Sequence, residues 1–342
     1  MEKKTLSIKD IASELNISVT TVSFVLNGKA KEKHISKKLT QKVLDYAKEV
    51  NYKPNQIAQS LRTGKSNLLV FMVEDISNSF FSKLARIIED IAYKKGYKVI
   101  FCSNENDDEK SIELISIFRF RQVDGFIIVP SPGLKKTIED LIEEKVPVVL
   151  LDRYFSGLDC NSVTIDNEDA TYNATSHLIK NNFKNIGFIT TDSRQMQMRD
   201  RLHGYEKAVL ENKLKPQILK IPYNEIRDGK SKEFISNFLK KSKDLDALFF
   251  ATNYLTQTGL EALKEKSPHL IQDIGIITFD DNELFKIYKP SITAVSQPLR
   301  EISNKLMDLL LLMLKHDNVN EVTENILLKA ELIVRESSVS KK

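Results

Sequence analysis

From Leu68 to Phe279 the hydrophobic period switches repeatedly between that of a strand and that of a helix, and this alternation narrows the possible folds more than any other feature of the chain. Apolar runs at Leu68–Val73, Tyr97–Ser103, Gly125–Val129 and Val146–Leu151 read as strands. They are separated by helical patterns over Phe80–Lys95, Glu109–Phe120 and Leu134–Glu144. A second set follows, with strands at Ile186–Thr190, Ile218–Ile221, Ala247–Ala251 and Ile274–Phe279. Its helices run through Arg201–Leu210, Lys230–Lys240 and Tyr254–Lys264. Strands that alternate with helices build doubly wound parallel sheets, because each parallel strand needs a crossover to return to the same edge. Two such sets in tandem predict two α/β lobes with a cleft between them. Ligands of open α/β sheets sit beyond the carboxyl ends of the strands, so Asp152-Arg153, Asn253 and Asp280-Asp281, each just after a strand, become candidate binding residues.

The first 65 residues follow a different pattern. Ser7 caps a short helix whose stripe is Ile8, Ile11, Ala12 and Leu15, and Ser18 caps a second helix carrying Val22, Val25 and Leu26 before Asn27-Gly28 stops it. A third helix begins at Ser36 and offers Leu39, Val43, Ala47 and Val50, enough to close a three-helix core. Two short helices across a tight turn form a helix-turn-helix, whose second helix enters the major groove. Ser18, Val19, Thr20, Thr21, Ser23, Phe24 and Asn27 are therefore the candidate DNA contacts. Charge agrees: residues 1–65 hold 13 Lys or Arg against 6 Asp or Glu, while the remainder holds 38 against 41. The basic excess sits wholly in this segment, as phosphate neutralisation requires.

Other chemistry finds little support. The two cysteines, Cys102 and Cys160, are far apart, and the five histidines are scattered without metal-ligand spacing, so neither a metal nor a cofactor is expected. Gly-x-Ser-x-Gly is absent, and Gly64-Lys65-Ser66 and Gly229-Lys230-Ser231 lack the earlier glycine of a phosphate loop. An enzyme is not expected. The N-terminus shows no apolar export segment, and the most apolar run, Leu306–Leu314, is too short to span a bilayer. The expectation is a cytoplasmic protein that makes no membrane contact.

Lys9-Asp10-Ile11-Ala12, Ile17 to Ser23, Val25-Leu26-Asn27-Gly28 and Tyr52 to Leu61 together resemble the signature of LacI/GalR-type bacterial transcription regulators. Phe24 departs from the arginine that the family often carries there. The resemblance implies a hinge helix from Pro54, with Asn55, Ala58 and Leu61 at the DNA and Leu61 as an apolar wedge in the minor groove. It also implies a core resembling periplasmic sugar-binding proteins, with Phe80, Phe81, Arg201, Asn253 and Asp280 lining the effector cleft. With Asp152 these supply a guanidinium fork, carboxylate acceptors, an amide and an aromatic wall, which suits a polyhydroxylated ligand.

The expected protein is an α + α/β regulator, in all likeness to that family a repressor. It binds a palindromic double-stranded operator as a homodimer and is controlled by a small molecule, a sugar by preference. A purine or other metabolite is the alternative effector, and a transport-type binding protein the alternative class. The expected domains are a headpiece over 1–53, a hinge over 54–64 and a core over 65–342. In the core, a first lobe takes about 65–165 and 295–325, and a second about 166–294 and 326–336. The inferred crossovers fall near Asp166, Ala294 and Asn325, and Ile326–Val334 is expected to be one strand of the second lobe. Arg201→Ala, at a solvent-lined cleft, is expected to lose effector response while retaining operator binding.

Overall fold

The computed structural model describes residues 6–52, 64–266, 271, 273–315 and 323–339. It divides into two compact units, 1–66 and 67–342. The hinge, with Asn55, Ala58 and Leu61, lies outside the described residues.

In the first unit, α1 (Ile8–Glu14), α2 (Val19–Leu26) and α3 (Lys37–Glu49) surround a core of Ile11, Ala12, Val22, Val25, Val43 and Ala47. Each helix starts on a serine. Ser7 and Asp10 form a reciprocal capping box, Ser18 accepts from Thr21 N at 3.0 Å, and Ser36 accepts from Leu39 N at 3.3 Å. Asn16, at φ +48°, makes the turn between α1 and α2. Asparagine tolerates that left-handed geometry better than other side chains.

The second unit holds two six-stranded sheets built to one plan. The first contains β1 (Leu68–Val73), β2 (Lys98–Ser103), β3 (Gly125–Ile128), β4 (Val148–Leu151), β5 (Asn161–Ile165) and β11 (Asn325–Leu328), in the order β11-β5-β4-β3-β1-β2. The second contains β6 (Ile186–Asp192), β7 (Gln217–Pro222), β8 (Ala247–Phe250), β9 (Gly275–Phe279), β10 (Thr293–Ser296) and β12 (Glu331–Ile333), in the order β12-β10-β9-β8-β6-β7. All neighbours are parallel except β10 and β12.

Both faces of each sheet are covered, as apolar strands without polar alternation require. In the first, Leu69, Phe71 and Val73 face α4 (Ser79–Lys94) and α13 (Leu299–Met313), while Val70 and Met72 face α5 (Asp108–Phe120) and α6 (Lys135–Glu143). In the second, Phe188 faces α7 (Asn167–Lys180) and α8 (Met196–Glu211), and Ile189 faces α10 (Ser231–Lys241) and α11 (Asn253–Lys266). Tyr205 stacks on Phe188 at 4.8 Å, and its hydroxyl donates to Ile186 O and accepts from Gln217 N.

Gly204 sets the α7–α8 distance, since a Cβ there would lie 2.3 Å from Glu168 O and 3.0 Å from Tyr172 N. The obstacle is backbone, which cannot rotate away. Gly204→Ala is expected to destabilise the second lobe by about 1–3 kcal/mol or more. Urea unfolding checks this: an unchanged midpoint would mean the two helices can separate freely.

The chain crosses between lobes three times: after Ile165, through Gln297-Pro298, and through Lys329-Ala330. The first crossing is the expected one. The second falls after Ser296 rather than near Ala294, because Thr293–Val295 pair with Ile277–Phe279 in the second sheet. The third corrects the reading of Ile326–Val334 as one strand. Asn325–Leu328 pair in parallel with Ser162–Ile165 of the first lobe, and only Glu331–Ile333 join the second. A continuous apolar run does not reveal which sheet each half joins.

Candidate functional site

Two candidate sites lie on separate units. On the first, Val19 and Thr20 are exposed at the start of α2, while Ser23 and Phe24 are half-buried one turn on. Ser18 and Thr21 are engaged with each other, Oγ to Oγ1 at 2.8 Å. Asn27 donates its amide back to Ser23 O at 2.7 Å. Lys33, from the loop after α2, places its ammonium 5.6 Å from the centre of the Phe24 ring while pairing with Glu32 at 3.1 Å.

On the second unit, the carboxyl ends of the strands meet in a cleft. Phe80, Phe81, Asp152, Arg201 and Asp280 line one small cavity, and Asn253 lines the mouth outside it. All six expected residues therefore gather at the cleft. Phe80 and Phe81, 5.0 Å apart edge to face, are also part of the first lobe's core.

Asp152 and Asp280 occupy equivalent places after β4 and β9. Both adopt φ +69°, and their N–H groups donate to Val163 O and Val295 O at 3.0 and 2.9 Å. The left-handed turn swings each carboxylate off its strand into the cleft. Burial raises the Asp280 carboxyl above its ordinary value, against Arg201 and the amide of Gln297 at 2.6 Å, with Asp152 adding to the rise. A buried carboxylate in this state gains from hydrogen-bond donors brought by a ligand.

Arg201 departs from expectation. Only 4% exposed, it donates to Asn167 Oδ1 and Ala251 O at 2.8 Å each and stacks 3.5 Å over the Phe279 ring. These partners all belong to its own lobe, so the residue braces the cleft wall and is not the solvent-lined side chain that the sequence suggests. Asp281 is likewise structural, gripped by both terminal nitrogens of Arg335 at 2.9 and 2.7 Å.

The centre of the cleft belongs to Arg153, which the sequence offers only as the neighbour of Asp152 after the fourth strand. Its guanidinium donates to Glu74 Oε2 at 2.7 Å, Asn106 Oδ1 at 2.7 Å and Asp152 Oδ2 at 3.3 Å. Burial opposes its charge, but Glu74 and Asp152 outweigh that and keep it firmly protonated. From the second lobe, Tyr223 donates to Glu74 Oε1 at 3.1 Å, Gln195 to Asn106 Oδ1 at 3.0 Å, and Asn253 to Asn78 Oδ1 at 2.8 Å. Glu74 follows β1, Asn106 lies just beyond β2, Tyr223 follows β7 and Gln297 follows β10. The rule that picks out Asp152 and Asp280 would have found these four as well. The cavity encloses only about 50 Å³, while the mouth opens to about 500 Å³.

Among the described residues there is no cluster of His, Cys, Asp or Glu able to hold a metal, and no helix long and apolar enough to cross a membrane.

Comparison with known proteins adds three findings. Residues 7–55 match the description "Bacterial regulatory proteins, lacI family" and residues 175–338 match "Periplasmic binding protein-like domain". The chain is 34% identical over 337 residues to the HTH-type transcriptional regulator RegA of Clostridium saccharobutylicum, covering 97% of this chain and 99% of the relative. Its fold resembles the lac repressor dimer bound to operator and the anti-inducer ONPF (TM-score 0.84, 23% identity, 98% of this chain and 100% of that one). It also resembles a regulator from Enterococcus faecium with bound ribose (TM-score 0.70, 25% identity, 80% and 100%).

Proposed function

Because the chain belongs to the lacI family of bacterial regulatory proteins and is a DNA-binding transcription regulator, we propose that it represses from a palindromic operator as a homodimer, under control of a neutral polyhydroxylated effector, a sugar, bound in the cleft between its lobes. The observation that carries the effector reading is the convergence of Asp152, Asp280, Glu74, Asn106, Gln195 and Gln297 from both lobes on one cleft with an aromatic wall at Phe80 and Phe81. Vicinal hydroxyls satisfy such acceptors and amides, and a ring's apolar face suits the phenyl groups. The ribose-bound relative supports the same class. In this reading Val19, Thr20, Ser23 and Phe24 meet base edges, with Asn55, Ala58 and Leu61 contributing from the hinge.

A ligand shifts operator affinity only through its differential affinity for two states of the protein, at about 1.4 kcal/mol for each tenfold. Contacts from both lobes supply such a difference, since they exist only when the lobes are together. The test is mass spectrometry of small molecules released from purified full-length protein, followed by operator titrations with and without each candidate. A purine released in place of a sugar would replace the proposed class. A released compound that leaves operator affinity unchanged would remove it as effector.

The basic excess of the headpiece adds an expected result. If the dimer makes about 6–10 phosphate contacts, affinity should fall about 10³–10⁵-fold between 50 and 200 mM salt. A flat salt titration would contradict groove binding by this segment.

A further inference from the structure

We infer that Arg153 is a positioning residue that latches the cleft shut through the protein's own side chains. This goes beyond the effector reading, because it concerns bonds between the two lobes and not the effector. The guanidinium fork holds Glu74 with one terminal nitrogen and Asn106 with the other. Each of those acceptors also takes a donor from the opposite lobe, Glu74 from Tyr223 and Asn106 from Gln195. The amide of Gln197, also on the second lobe, accepts from Arg153 Nε at 3.0 Å when its oxygen faces inward. One buried cation thus organises three bridges across the cleft.

The remaining volume agrees with a latch. About 50 Å³ holds a water or two, far below the roughly 300 Å³ of ordinary ligand pockets. Glu74 and Arg153 are both largely buried, and a buried pair stripped of its second-lobe donors must regain water. Opening the cleft therefore costs hydrogen bonds, and an effector must replace them to enter. Its hydroxyls would compete with Tyr223 and Gln195 for Glu74 and Asn106.

The test uses the full chain without added ligand, after mass spectrometry has confirmed that none is retained. Spin labels at the exposed positions Glu113 on α5 of the first lobe and Asn237 on α10 of the second report the distance between the lobes. Singly labelled samples identify distances between subunits. The wild type is expected to give one narrow, short distance. Arg153→Met should give a longer, broader distribution, and Arg153→Lys should remain open because one ammonium cannot serve both acceptors as a fork does. Since loss of Arg153 also strands Glu74 and Asp152, the double variant Tyr223→Phe, Gln195→Ala removes two of the three bridges while keeping Arg153 and should widen the distribution too. A wild type as broad as the variants, or variants that keep the short distance, would overturn the latch. Neither result bears on whether a sugar is the effector, which the released-ligand experiment decides separately.

Discussion

A chain shortened to Asn67–Lys342 should lose operator binding altogether, by at least the roughly 10³-fold that separates specific from non-specific affinity, and remain folded. The first unit has its own core of Ile11, Ala12, Val22, Val25, Val43 and Ala47 and carries the helix-turn-helix. The second keeps both sheets and every cleft residue without it. Gel shift against operator fragments measures the loss, and thermal unfolding measures what remains. Retained specific binding by the shortened chain would move DNA recognition out of the headpiece.

Arg201→Ala should destabilise the core by about 3–6 kcal/mol, because two hydrogen bonds from a charged group are lost at about 1.5–3 kcal/mol each. Asn167 Oδ1 and Ala251 O are left buried, and the Phe279 face loses its cation. For a unit of this size the melting point should drop by about 10 °C. Arg201→Lys keeps the charge but cannot span Asn167 and Ala251 together, so it should recover only part of the loss. Effector response should fail in Arg201→Ala through a loosened lobe. A melting point within about 2 °C of wild type would return Arg201 to the role of a pure ligand contact.

Much of the core was legible in the sequence because local period sets local structure. The apolar runs from Leu68 to Val73 and from Gly275 to Phe279 are buried on both faces and read as strands without ambiguity. The strand Asn161–Ile165 was not found. Its sequence, NSVTI, is half polar, although every residue is buried. The helix Asn167–Lys180 hides its Ala170, Ala174 and Leu178 stripe among buried threonines. In the cleft, Asp152 and Asp280 could be read from their place after a strand. The dominance of Arg153 could not, because its partner Glu74 lies 79 residues away and meets it only after β1 and β4 flank β3. Nor could the sequence show that Arg201, while lining the cleft, is held by Asn167 and Ala251 of its own lobe.

The three crossings, after Ile165, through Gln297-Pro298 and through Lys329-Ala330, also have a mechanical meaning. All three leave from the β5/β11 side of one sheet and the β10/β12 side of the other, so they act as three pins along a single edge. Three short straps on one side resist sliding and twisting and leave rotation about their common line as the soft motion. A body with one degree of freedom transmits one number. Whatever a ligand does to individual side chains, the opposite lobe receives it as a single opening angle, so chemically unrelated ligands that set the same angle should produce the same response.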